Sequence, residues 1–392
     1  MKTLSSLALQ ALVFSLVSAC FSTIYLVQPV LPVLQAEFGV SIARAAQTVS
    51  MVILGVAFST LIFGRLADMY PVKPLILMGG AVVSGAGLAC ALVRDINVLI
   101  ALRLAQGLFI PALTTCIATY LARNLPVHRL NVVMGSYVSA TVVGGLGGRL
   151  LGGWIHPPLH WRYAFVTASI LVLATSLAAV CLLPPEPRPT EKQAHGPGYL
   201  QLMRRPDLIR IFLVGFASLF IFGSTFNYLP YYLSQPPFSA STQTITLLYL
   251  TYIAGVIIAP LSGKFSNRFG NGTTMVLGSL ILGAALIMSH IPRLGCVAVS
   301  LALACTGFFA VHASAVGNMN RRLSASRGRA NSLYILWYYV GGSIGITITG
   351  HFFKLFGWSG VTGAGLGMVL ALLAIGVHEL RNGAQAKPTE AR

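Results

Sequence analysis

Long apolar runs, each interrupted by a short polar connection, account for most of the chain. A helix needs roughly 20 mainly apolar residues to cross a bilayer. Twelve stretches meet that requirement, near 8–33, 45–63, 74–93, 97–120, 131–154, 162–183, 208–233, 243–262, 273–291, 294–318, 330–353 and 359–378. The one long polar connection runs from Pro184 to about Pro206 and is rich in proline and charge (Glu186, Arg188, Glu191, Lys192, Arg204, Arg205), as a solvated linker should be. It divides the stretches six and six. The pattern predicts an N-terminal six-helix bundle over 1–183, a linker over 184–206, a C-terminal six-helix bundle over 207–378 and a tail over 379–392. Val17-Ser18-Ala19-Cys20 resembles a lipoprotein cleavage site, but the apolar run continues to about Leu34, so it reads as the first spanning helix.

Composition supports an all-α integral membrane protein: 56% of residues are hydrophobic and only 9% charged, against about 25% charged in soluble domains. A formal net charge of +18 would suggest nucleic acid in a soluble protein. Here the charges are confined to the connections, so the excess follows the positive-inside rule and no nucleic-acid partner is expected. Arg44, Arg94, Arg162, Arg293 and Lys354 fall on one side, most other basic residues on the opposite side with the linker and both termini. That bias puts both termini and the linker of a multi-pass protein in the cytoplasm, and the expected location is a bacterial-type inner (plasma) membrane. The six cysteines lie in or beside apolar stretches without metal-ligand spacing and read as small hydrophobes.

The two halves share features at nearly constant spacing. Gly64-Arg65-Leu66-Ala67-Asp68 is echoed 199 residues later by Gly263-Lys264-Phe265-Ser266-Asn267-Arg268. Gly144-Gly145 and Gly148 return 197 residues later as Gly341-Gly342 and Gly345, and Trp161 returns as Trp358. Ser22-Thr23 before Pro29 is echoed by Ser224-Thr225 before Pro230. Parallel repeats of this kind predict twelve transmembrane helices as two six-helix pseudo-repeats around a central cavity, with alternating access to a solute.

These residues resemble the major facilitator superfamily over nearly the whole chain. Gly64, Leu66, Ala67, Asp68 and Lys73 match its signature loop, although Met69, Pro71 and Val72 replace residues usual in that loop. Arg103-x-x-Gln106-Gly107 and the run Gly144 to Gly148, Arg149, Gly152 and Gly153 are similar to elements of the twelve-helix drug:proton antiporter branch. Gln28-Pro29 and Pro32, with Gly148-Arg149, look closest to acriflavine-sensitivity and arabinose-efflux-like exporters. The resemblance implies a proton-coupled exporter, monomeric and without a cofactor. It also implies that Asp68 holds a gate against basic loop groups or against the helix beginning near Ala330; a loop acid serving topology alone is the plainer alternative. Gly64, Lys73, Gly263 and Arg268 belong to the same gating loops, and Gly144, Gly145 and Gly148 to a tight helix contact, expected to be with the eighth predicted helix.

All eight acids lie in loops, termini or helix ends. Arg103, Arg149 and His312 lie within predicted helices, and a charge-bearing side chain there is a functional candidate by default. Snorkelling, backbone bonding or, for His312, a simple hydrogen bond are the alternatives. Cations without acids at depth disfavour organic-cation substrates and suit neutral or anionic amphipathic compounds. Tyr25, Gln28 and Gln106 from the first half and Asn227, Tyr228, Tyr249, Tyr252, Tyr334, Trp337 and Tyr338 from the second can supply stacking and polar contacts, or simple packing. No phosphate-binding loop is present, and His156 and His160 are separated by Pro157 and Pro158, so neither an ATP-driven pump nor a metal site is expected. The reading is a non-enzymatic secondary transporter whose partners are a small-molecule substrate, protons and the bilayer. The alternatives are a uniporter or exchanger of a small metabolite, a non-transporting membrane sensor and a membrane-embedded enzyme.

Overall fold

A computed structural model describes residues 5–184, 198–323 and 326–385, without the side chains of Ser6, Val127, His128, Asn131, Arg327 and 382–385. The middle of the expected linker and the end of the expected tail lie outside the described residues. The described chain is helical: α1 (Ser6–Tyr25), α2 (Leu31–Phe38), α3 (Ile42–Met69), α4 (Val72–Leu92), α5 (Ile96–Asn124), α6 (Val127–Ile155), α7 (Arg162–Leu182), α8 (Tyr199–Met203), α9 (Pro206–Ser234), α10 (Thr242–Leu248), α11 (Tyr252–Phe269), α12 (Asn271–Met288), α13 (Leu294–Arg321), α14 (Arg327–Phe356) and α15 (Trp358–Gln385). Ten helical spans among the described residues are long and apolar enough to cross a membrane, α1–α2 and α10–α11 each counting as one. Two more long helices, α6 and α14, have 29 and 30 residues.

The chain divides into two compact units, Met1–Gln193 with Ala240–Tyr249, and Ala194–Ser239 with Leu250–Arg392. In the first, α1 packs on α6, α3 on α5, and α4 on α5 and α7. The same pairing recurs in the second, where α9 packs on α14, α11 on α13, and α12 on α13 and α15. Small residues permit these approaches. A Cβ on Gly148 would lie 2.1 Å from the Ser22 carbonyl oxygen of α1, and one on Gly345 would lie 2.8 Å from that of Phe220 on α9. Gly144 likewise faces Ser18. Gly144 and Gly148 therefore serve a contact inside the first unit, α1 with α6, and the expected approach of Gly148 to the eighth predicted helix is corrected. The glycine facing that helix is Gly153, against Thr246 of α10.

Several helices run further than apolar content alone predicts. α3 continues to Met69, so Gly64 and Asp68 stand on its last turns rather than in a loop; Gly263 and Arg268 stand likewise on α11. The helix stops only where the backbone requires it. Tyr70 precedes a proline and is extended (φ −123°, ψ 156°), and Gly270 has φ +94°. At the other end, α15 continues to Gln385, past the expected helix end at 378.

The first spanning helix is broken. Pro29 and Pro32 cannot donate to the α-helical ladder, and a 3₁₀ turn at Gln28–Val30 separates α1 from α2. Carbonyls in the last turn of α1 then need other donors. Arg103 of α5, fully buried, supplies them: Nη1 donates to Thr23 O (2.7 Å) and Nη2 to Ile24 O (2.6 Å). Its Nε donates to Thr48 O of α3 (2.9 Å), and Nη1 also donates to Gln106 Oε1 (2.7 Å). Gln106 passes the connection on by donating to Val83 O of α4 (3.1 Å). One guanidinium thus ties four helices together.

Two outcomes follow for thermal unfolding of the detergent-purified protein. Gly107→Ala places a methyl 2.2 Å from Val52 O and should lower the midpoint, whereas Gly64→Ala, with open space around it, should leave the midpoint unchanged or raise it. Arg103→Lys keeps the charge but loses the fork of donors, and should cost at least about 2 kcal/mol. A wild-type midpoint for the lysine variant would remove the guanidinium from its structural role.

Candidate functional site

In the first unit the break in α1 also positions Tyr25 and Gln28 beside Arg149 of α6. The Arg149 side chain is 3% exposed. Its Nε donates to Gln28 Oε1 (2.7 Å) and Nη1 to Gly145 O (2.8 Å), one turn back on the same helix. The guanidinium lies 4.0 Å from the Tyr25 ring centroid and 5.5 Å from that of Tyr249. Tyr25, Gln28, Gly145, Arg149 and Tyr249, dispersed over 225 positions of sequence numbering from 25 to 249, are therefore one cluster. Aromatic faces and amide oxygens stabilise a cation in a dry site while leaving it positively charged. Arg103 and Gln106 form a separate group turned toward backbone carbonyls.

Asp68 pairs with Arg123 at the end of α5 (2.8 Å). The equivalent ends in the second unit carry the same contact with an amide: Arg321 donates to Asn267 Oδ1 (2.5 Å). The spacing of the repeat, 199 residues for Asp68 and Asn267 and 198 for the arginines, contains this correspondence, although Arg123 was not singled out from the sequence. Asp68 is 72% exposed, so the pair contributes little to stability and is easily exchanged for another. Lys73 begins the following helix, in the first turn of α4.

In the second unit the aromatic candidates separate into two roles. Tyr228 donates to Ile346 O (2.6 Å) and fastens α9 to α14, and Trp337 donates to Met203 Sδ of α8 (3.5 Å). Asn227 is fully buried on α9. Tyr252, His312, Tyr334 and Tyr338 instead join a group built on phenylalanines that the sequence did not single out. Phe222 stacks on Phe308 (4.0 Å between centroids, 17° between planes), Tyr252 meets Phe222 and Phe226, and His312 lies between Phe308, Tyr334 and Tyr338. His312 Nδ1 is 2.9 Å from Tyr334 Oη.

A second feature was missed. Glu379, expected to begin a tail, is 4% exposed on α15, where it accepts from Arg322 and from Asn318 Nδ2 (3.0 Å), with Arg210 Nε 3.6 Å away. The helical period continues beneath the polar residues there, and Gly272 lets the backbone at Leu380 approach closely. Opposite charges at separated positions carry no sequence signature of their pairing. At the first unit's loop between α6 and α7, Glu37 accepts from Trp161 Nε1 and Arg162 Nη1 (both 2.5 Å), while burial and neighbouring His160 hold His156 below the usual imidazole range. Among the described residues no group of three or more His, Cys, Asp or Glu side chains forms a metal site.

This geometry has relatives. The chain is 29% identical over 357 residues to the uncharacterized MFS-type transporter YybF of Bacillus subtilis, covering 90% of this chain and 88% of that one. It is 30% identical over 364 residues to the inner membrane transport protein YnfM of Escherichia coli, covering 92% and 87%. Its fold matches the crystal structure of a bacterial homolog of the human lysosomal transporter Spinster in an inward-facing, unoccupied conformation, with a TM-score of 0.75, 15% identity and 98% of each chain covered. The family profile described as Major Facilitator Superfamily matches residues 12–320 and 238–391. The chain, a multi-pass membrane protein with this helix arrangement, belongs to the Major Facilitator Superfamily of transporters.

Proposed function

We propose that the chain exports small neutral or anionic amphipathic organic compounds across an inner (plasma) membrane by alternating access, driven by the proton gradient. The observation that carries the substrate class is the placement of charge. All five described carboxylates stand at helix ends with partners there: Glu37 with Arg162, Asp68 with Arg123, Asp95 as the N-cap of α5, Asp207 with Arg205, and Glu379 with Arg322. In mid-helix the described spans hold guanidiniums instead, Arg103 committed to carbonyls and Arg149 among aromatic and amide groups. An organic cation entering such a region loses water and gains no counter-charge, whereas an anion gains one. Amphipathic cargo suits the aromatic group of the second unit.

The inner membrane follows from the relative in Escherichia coli, named an inner membrane transport protein, and the orientation with cytoplasmic termini from the distribution of Lys and Arg. The division into bundles over 1–183 and 207–378, with 184–206 as linker, is retained in this reading, as is a monomer, while the tail expected from 379 begins later because α15 runs on to Gln385. Export and proton coupling rest on the resemblance of the glycine-rich α6 and of the Asp68 signature. Substrate exchange or uniport is the second reading, favoured by the absence of a mid-helix carboxylate among the described residues.

Flux in proteoliposomes with an imposed pH gradient tests the proposal. Neutral or anionic amphipathic compounds should move with the gradient and cationic ones should not, and Asp68→Asn should abolish the movement. Arg149→Gln should weaken apparent affinity for anions about tenfold or more while sparing neutral compounds. Gradient-driven transport of cations, or flux indifferent to pH, would overturn the substrate class or the coupling respectively.

A further inference from the structure

The aromatic group of the second unit contains one polar ring whose hydrogen-bonding capacity is half used. His312 of α13 meets Tyr334 of α14 through Nδ1, at 2.9 Å. Tyr334 is 1% exposed, and its hydroxyl makes no other hydrogen bond among the described residues. A phenol can donate or accept here, and the two choices are unequal. If the imidazole donated from Nδ1, the buried phenolic hydrogen would have no acceptor, which costs about 1–3 kcal/mol. If Tyr334 donates, both groups are satisfied and the imidazole proton resides on Nε2. Nε2 has no hydrogen-bond partner among the described residues, and the His312 side chain is partly exposed. A doubly protonated ring would strand the phenolic hydrogen in the same way, so this arrangement suits a neutral donor rather than a proton carrier.

The rings near that donor fall into two sets, a near-parallel run and the flanking tyrosines Tyr334 and Tyr338, tilted 52° and 51° from the imidazole. Phe222 and Phe308 lie 17° from parallel, and Phe308 and His312 lie 12° from parallel at 5.8 Å. Tyr338 flanks the imidazole at 5.1 Å. Phe222 and Phe308 are buried against each other, whereas Tyr338 is partly exposed, and its ring beside a fixed donor matches a flat ring with an acceptor at its edge, since stacking places the plane and the hydrogen bond sets its rotation. We propose that His312, oriented by Tyr334, is the specificity-determining donor of a substrate subsite for planar aromatic compounds bearing a hydrogen-bond acceptor. This names the cargo more narrowly than the transporter reading above and rests on that reading.

The test is calorimetric titration of the full-length protein in detergent with benzoate and quinoline, which have ring and acceptor. Cyclohexanecarboxylate (acceptor without planar ring) and toluene (ring without acceptor) are the controls. Benzoate and quinoline should bind saturably and the controls should not. His312→Phe should weaken binding about tenfold, the worth of one well-placed hydrogen bond, and His312→Gln, which restores an N–H donor, should recover much of it. The subsite is overturned if His312→Phe, at an unchanged thermal midpoint, binds as wild type does. Equal affinity for cyclohexanecarboxylate, or no saturable binding of either planar probe, overturns it too. Binding that depends on His312 without gradient-driven flux of any compound would leave the subsite standing and remove proton-coupled export. Gradient-driven flux indifferent to His312→Phe would do the reverse.

Discussion

Backbone polar groups inside a bilayer have no water to turn to, so a helix that breaks there must have its freed carbonyls met by protein. The break after Tyr25 is the constraint around which the first unit is organised. Arg103 reaches it from α5 and satisfies Thr23 and Ile24, while Arg149 reaches it from α6 through Gln28. Each guanidinium has a different commitment. Arg103 spends its donors on carbonyls and an amide, which fixes the positions of α1, α3 and α5. Arg149 lies against two aromatic faces, which hold a cation without neutralising it. The same proline pair therefore creates a structural demand on one arginine and a chemical opening beside the other.

The two units share a packing plan and differ in chemistry. Glycines bring α1 against α6 and α9 against α14 in matching positions, and the ends of α3 and α5 correspond to those of α11 and α13. Yet Asp68 is replaced by Asn267, so the charged contact of one unit is a neutral one in the other. Buried cations gather in the first unit; stacked rings, a neutral imidazole and a buried carboxylate with two arginine neighbours gather in the second. Duplication preserves what close packing requires, since a Cβ at Gly148 or Gly345 has nowhere to go. It leaves side chains outside those contacts free to diverge.

The sequence made the spanning helices legible because the bilayer demands an apolar run of fixed length. It also marked the break, through Pro29 and Pro32, and the pseudo-repeat. Helix ends were less legible: Asp68, Arg268 and Glu379 sit on polar turns that continue a helix beyond its apolar part. The glycine spacing announced a close contact without naming the partner, because a small residue is recorded in the chain but the surface it admits is not. Arg103 was visible as a cation at depth, whereas its partners are backbone carbonyls, which every residue has. Phe222, Phe308 and Phe309 carried no signal above the general abundance of apolar residues, and only the fold assembles them around His312.

A carrier must release what it binds, and this sets a limit on how strongly a subsite can hold its cargo. A fully formed, desolvated ion pair is held partly by the cost of leaving either charge unpaired, which slows release. The chemistry of the second unit avoids that penalty. A neutral imidazole donor contributes about 0.5–1.5 kcal/mol, and the departing ligand leaves no unpaired charge behind. Stacked rings contribute area without a geometric lock. The positive charge in the first unit has a complementary use: set against aromatic faces and amide oxygens, it can bias selection by sign while each individual interaction stays modest. Discrimination then arises from a difference between candidate cargoes, cations being penalised and flat acceptor-bearing compounds accepted, rather than from a tight complex with any one of them.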